Sequence, residues 1–134
     1  MAINDMVPFI AHRYGTADPF TIAEQLNIDV RWRDLGPGIM GKTVYVFGQP
    51  TVLLNPQVKD TPERLFVMAH ELGHVILHEG LASYYRLARG GNDKAEYEAD
   101  CFAEKLLVLL YVEENRELPA TYDDVVHGYG FPEL

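Results

Sequence analysis

The sequence predicts an α+β domain, with helices packed around a small antiparallel sheet of about three strands. Three observations carry this reading. Capped segments with apolar residues at helical spacing open the chain, short runs rich in β-branched and aromatic residues cluster in residues 28–54, and two longer helical segments follow.

In order, residues 4–14 predict a short helix that ends near Gly15. Asp18-Pro19 opens the next one, with a capping carboxylate followed by proline at the first helical position. Phe20, Ile22, Ala23 and Leu26 recur at helical spacing through Asn27. Ile28, Val30 and Trp32 then alternate with Asp29, Arg31 and Arg33, the pattern of a half-buried strand with Trp32 in the core. Gly36-Pro37-Gly38 breaks the chain. Residues 43–47 and 51–54 form a hairpin that turns at Gly48-Gln49-Pro50. After a loop over 55–60, Thr61-Pro62-Glu63 opens a helix with a hydroxyl cap, a proline and an acid near the positive helix end. That helix is expected to reach about His78 and stop at Gly80. Residues 81–92 look irregular, with a turn at Gly90-Gly91-Asn92, and Asp93 can cap a further helix to about Leu110. A last short helix is expected over 122–126.

The 134 residues suit one domain, spanning 1–134, and 48% hydrophobic content supplies a core without disulfide staples. The single cysteine, Cys101, cannot pair within the chain and points to a reducing compartment. The first ten residues lack a basic leader, and no apolar run approaches a membrane span, so the expectation is a soluble cytoplasmic protein without a membrane partner. A formal charge of −9, from 11 basic and 20 acidic residues, argues against direct binding of nucleic acid.

The chemistry lies in His70-Glu71-Leu72-Gly73-His74, well inside a predicted helix. Histidines four residues apart project from one face, so their ring nitrogens can meet one zinc ion at about 2.0–2.1 Å. Glu71 is turned from the ligand pair but stays at the edge of the site, placed to act on activated water as catalytic base. The flanking residues 65–69 and 75–77 are apolar. Two histidines and a glutamate are costly to bury there without partners. Gly73 costs about 1 kcal/mol against alanine in a helix, which is reasonable where another backbone passes close.

A catalytic zinc usually takes a third protein ligand. His78 lies eight residues from His70, roughly 12 Å along a helix axis, so one ion cannot bridge all three histidines. Leu77 and Gly80 exclude the metzincin spacing. The following helix offers Glu96, Glu98 and Asp100. Glu96 and Asp100 share a face, whereas Glu98 points roughly the opposite way. Face geometry therefore favours Glu96 as ligand, with Asp100 accepting the distal N–H of a ligand histidine. The competing reading makes all three acids solvated charges at a helix start.

These residues, Met68-Ala69-His70-Glu71-Leu72-Gly73-His74 with Leu77-His78 and then Glu96-x-x-Ala99-Asp100-x-Phe102-Ala103-x-x-Leu106-Leu107, resemble the ImmA/IrrE metallopeptidases. Asp18-Pro19-Phe20-x-Ile22-Ala23 and a strand ending in Asn55 extend the resemblance over about residues 14–110. It implies a gluzincin-like site with one catalytic zinc: His70, His74 and Glu96 as ligands, Glu71 as base and Asp100 supporting a ligand histidine. It also implies a zinc endopeptidase of prophage or mobile-element type that cleaves a helix-turn-helix repressor, here on a separate chain. Other members act on repressors of stress responses. Members often carry Met-Pro after the Leu-Leu pair, where this chain has Val108-Leu109, so the resemblance says less about the C-terminal third.

Tyr84, Tyr85 and Tyr97 are candidate oxyanion donors, with His78 and His127 as further options. Cys101 reads as a buried small hydrophobe, and His12 and Arg13 as exposed helix residues. Two other functions compete with the peptidase: a non-proteolytic regulator that binds and inactivates a repressor, and a zinc hydrolase of small amides.

Overall fold

The chain opens with helix α1 (Ile3–Tyr14), which buries Val7 and Ile10 and ends at Gly15 in the left-handed conformation, φ +74°. Helix α2 (Pro19–Gln25) starts as its sequence dictates: the Asp18 carboxylate accepts from the Phe20 and Thr21 N–H groups at 2.9 and 3.4 Å, and Pro19 takes the first turn. Strands β1 (Asp29–Trp32), β2 (Ile39–Val46) and β3 (Gln49–Leu54) follow, then a single 3₁₀ turn (Pro56–Val58) and helix α3 (Glu63–Leu77). Strand β4 (Ser83–Arg86) and helices α4 (Lys94–Asn115) and α5 (Tyr122–Tyr129) complete the architecture. This computed structural model describes residues 2–78, 83–86 and 94–134. The expected turn at residues 90–92 and the Asp93 cap lie outside the described residues.

The class is α+β as expected, but the sheet differs from three antiparallel strands. Among the described residues it has four, in the order β1-β3-β2-β4. β2 and β3 form the expected hairpin, and β4 pairs antiparallel with β2. β1 runs parallel to β3, with Asp29 opposite Thr51 and Trp32 opposite Leu54. Val52 and Leu54 are fully buried in β3, which is a central strand, with β1 on the side away from β2. The hairpin turn sits one residue earlier than expected. Phe47 and Gly48 both adopt positive φ, 51° and 78°, the geometry that matches strand twist in a two-residue turn, and Pro50 lies within β3 opposite Tyr45. β4 falls in the segment expected to be irregular, because four residues carry little local signal and their order comes from pairing along β2.

Helix α3 is the centre of the molecule. Every residue from Phe66 to His74 is buried, with strands on one side and α4 on the other. Two glycines set how closely its neighbours approach. A Cβ at Gly41 of β2 would sit 2.5 Å from Val67 Cγ1 and 3.3 Å from Glu71 Cγ. At Gly73 it would meet the Phe102 side chain at 3.1–3.2 Å. The close neighbour of Gly73 is thus an α4 side chain, where a passing backbone was expected. Buried Asn55 ties the end of β3 to the start of β2: its amide donates to the Gly36 and Ile39 carbonyls, and its side-chain oxygen accepts from Gln57 N–H. Thr61 does not cap α3 through its hydroxyl, which instead donates to the Val58 carbonyl at 2.9 Å. Trp32 is at the core's rim, stacked 6.4 Å from Phe20 with the Lys59 ammonium over its ring. Among the described residues no helix is long and apolar enough to cross a membrane.

Candidate metal centre

The four-residue spacing on α3 does locally what helix geometry requires. His70 and His74 lie on one face, with Nε2 atoms 3.1 Å apart and both side chains buried. Helix α4 runs antiparallel alongside, bringing Glu96 to His74 and Asp100 to His70. One Glu96 oxygen is 2.7 Å from His74 Nε2, and the other is 3.2 Å from His70 Nε2. Ligand atoms of His70, Glu71 and His74 all lie within 4.8 Å of one another.

The outer ring nitrogens are engaged as well. His70 Nδ1 is 2.8 Å from Asp100 Oδ1. A carboxylate only accepts there, so Nδ1 carries a proton, and loss of a second proton from Nε2 would turn a lone pair inward. His74 Nδ1 is 3.0 Å from His78 Nδ1, and His78 Nε2 is 3.1 Å from Glu98 Oε1. Glu71 is fully buried, and Oε1 accepts a 2.8 Å hydrogen bond from the Thr43 hydroxyl of β2.

This donor set fits a metal ion. Two imidazole nitrogens and a carboxylate converge, and two nitrogens held tetrahedrally at about 2.0–2.1 Å from one zinc would stand about 3.3 Å apart, close to the observed 3.1 Å. The electrostatics also call for a cation. Burial alone would lower the pKa of His70, but hydrogen bonds to Asp100 and Glu96 and the nearby Glu71 charge outweigh it and raise the value to about 9. Burial would raise the pKa of Glu96, yet its contacts with His70 and His74 pull it down to about 2. Without an ion the cluster thus holds a proton in its place.

Of the remaining sequence candidates, Tyr97 is 70% exposed on α4 and interacts with Cys101, which is half-buried rather than fully buried. His127 is exposed on α5. The side chains of Tyr84 and Tyr85 lie outside the described residues; their backbone pairs with Lys42 and Gly41. Local sequence patterns do not reveal Thr43 or the His78–Glu98 pair as partners of the cluster. Thr43 reaches Glu71 across 28 residues, which no local pattern reports. Glu98 reaches His78 because side chains near a helix start lean back toward its N-terminus, a tilt that a face count ignores.

Fold and cluster together define an α+β domain with a helix-borne His-Glu-x-x-His set of metal-binding type. The chain belongs to the family described as the IrrE N-terminal-like domain, Peptidase_M78, which matches residues 23–126. It is also 32% identical over 133 residues to "Uncharacterized immunity region protein 2" of Bacillus phage phi105, covering 97% of this chain and 84% of that protein.

Proposed function

We propose that this chain is a zinc-dependent endopeptidase, a single domain over 1–134, that cleaves a separate helix-turn-helix repressor in the cytoplasm. One observation carries the reading: two buried imidazole Nε2 atoms and the Glu96 carboxylate converge beside a buried glutamate held by a hydroxyl. Here His70, His74 and Glu96 hold the ion, Asp100 orients His70, and Glu71 is the catalytic base. When bound, zinc polarises a carbonyl and activates water at neutral pH. Glu71 takes the proton of the attacking water and delivers it to the leaving amine. Thr43 holds one Glu71 oxygen, which aims the other. We retain Tyr84 and Tyr85 as oxyanion donors, since β4 pairs with β2 beside Gly41 and Thr43. Tyr97, turned to Cys101, has less to support it.

The substrate class draws on family membership and on a relative assigned to a phage immunity region. A net charge of −9 suits a basic DNA-binding partner. The test is incubation of the zinc-loaded protein with a candidate helix-turn-helix repressor, followed by mass spectrometry. Wild type is expected to cut at one position, and Glu71→Gln to bind zinc without cutting. A Glu71→Gln chain that still inactivates the repressor would move the function to non-proteolytic binding.

A further inference from the structure

We propose that His78 and Glu98 are positioning residues for the metal, fixing His74 in the tautomer that turns its Nε2 lone pair into the site. The inference rests on the metal centre described above and concerns how its second histidine is held.

The two ligand histidines need the same thing from their surroundings. Each must carry its proton on Nδ1, so that Nε2 is free to coordinate. His70 obtains this directly, because Asp100 can only accept at Nδ1. His74 has no carboxylate at Nδ1 among its described contacts; it faces His78 Nδ1 at 3.0 Å. An imidazole nitrogen can donate or accept, so this contact alone does not choose a tautomer. The choice is made one bond further out. Glu98 Oε1 lies 3.1 Å from His78 Nε2 and, as a carboxylate, only accepts. It keeps the proton of neutral His78 on Nε2, which leaves Nδ1 as a lone pair. His74 Nδ1 must then be the donor. The reverse arrangement would place a proton on His74 Nε2, where Glu96 could accept it at 2.7 Å, and would leave no lone pair there for a metal ion.

The placement explains why a third histidine continues the four-residue series. His78 is the residue at which α3 ends, and its backbone N–H donates to the His74 carbonyl at 2.8 Å. The ring is largely buried, whereas Glu98 is about a third exposed, at 34%. Helix α4 therefore braces both ligand histidines, through Asp100 in one step and through Glu98 and His78 in two.

The experiment measures zinc affinity by competition with a chromogenic chelator, on chains whose folding is checked by circular dichroism. His78→Ala is expected to weaken zinc binding by about 10–100-fold, the usual cost of losing such a partner. His78→Asn puts a carbonyl oxygen near the position of Nδ1 and should recover most of the loss. Glu98→Ala, at a part-exposed position that folding tolerates, should weaken binding, and Glu98→Gln, which keeps an acceptor, should weaken it less. Nitrogen-15 shifts of the zinc-loaded wild type should place the His74 proton on Nδ1 and the His78 proton on Nε2. The relay is overturned if folded His78→Ala binds zinc as wild type does, if His78→Asn is as weak as His78→Ala, or if the His78 proton sits on Nδ1. A wild-type chain that takes up no zinc overturns the metal centre and the relay with it, which separates the two failures.

Discussion

Replacing Gly41 with alanine should destabilise the protein, although local preference argues the opposite. Gly41 has no positive φ, and alanine in a strand normally gains about 0.5–1 kcal/mol over glycine. Here the added Cβ would stand 2.5 Å from Val67 Cγ1 and 3.3 Å from Glu71 Cγ. Carbon atoms pack at about 3.5–4.0 Å, so the contact is short by about 1.0–1.5 Å. Both Val67 and Glu71 belong to the most buried stretch of α3, which cannot turn away. Overpacking of this kind costs about 1–3 kcal/mol. At about 3–5 °C per kcal/mol for a domain this size, Gly41→Ala should melt about 3–15 °C below wild type. The shift of α3 should also loosen the Thr43–Glu71 hydrogen bond and reduce turnover. Thermal melts of wild type, Gly41→Ala, Val67→Ala and the double variant form the cycle. Val67→Ala removes the clashing methyl, so the double variant should be more stable than the sum of the single losses by about 1 kcal/mol or more. A Gly41→Ala chain as stable as wild type, or additive losses in the cycle, would refute the argument that this glycine sets the strand-to-helix distance.

Thr43→Val keeps the shape of the side chain but deletes the hydroxyl that donates to Glu71. A hydrogen bond to a charged group contributes about 1.5–3 kcal/mol, so kcat should fall by about 10–100-fold with zinc content unchanged, as read by steady-state cleavage and elemental analysis. In the metal-free protein His70 has a pKa raised from 6.5 to about 9. Its stabilising contribution is therefore complete below pH 6.5 and is lost as pH rises through about 9. At pH 7.5 zinc must displace that proton, so calorimetry in buffers of different ionisation enthalpy should show about one proton released per ion, and affinity should rise with pH toward 9. Far from the site, the Tyr129 hydroxyl donates to Glu114 and accepts from Asn115; burial and the Glu114 carboxylate push its pKa up to about 12, against the Asn115 contact, which lowers it. Tyr129→Phe should cost about 1–2 kcal/mol in urea unfolding at neutral pH. The gap should narrow as pH climbs from 10 through 12, where wild type loses the same interaction.

What could be read from the sequence divides by the range of the interactions. The pairing of His70 with His74, the Asp18-Pro19 helix start and the β2–β3 hairpin depend on residues within a few positions of one another. The approach of Glu96 and Asp100 followed from one helix face, once a second helix was expected to pack there. The parallel pairing of β1 and the addition of β4 depend on which sheet edge is free, which only the assembled fold decides. Thr43 looks like an ordinary strand residue in the sequence because its partner lies on another element. His78 lies too far along α3 from His70 to share its ion. Its contact with His74 follows from that same four-residue spacing, but the meaning of the contact depends on Glu98 from α4. Gly73 shows the same limit: its smallness was legible, and the Phe102 side chain that requires it was not.

The proposed chemistry stands on His70, His74 and Glu96 forming one metal site. Elemental analysis of metal per chain, on wild type and on Glu96→Ala purified with zinc supplied, tests it most directly. About one zinc per wild-type chain is expected, and its loss or marked weakening in the variant. A wild-type chain without metal, or a Glu96→Ala chain that keeps its zinc with unchanged affinity, would contradict it.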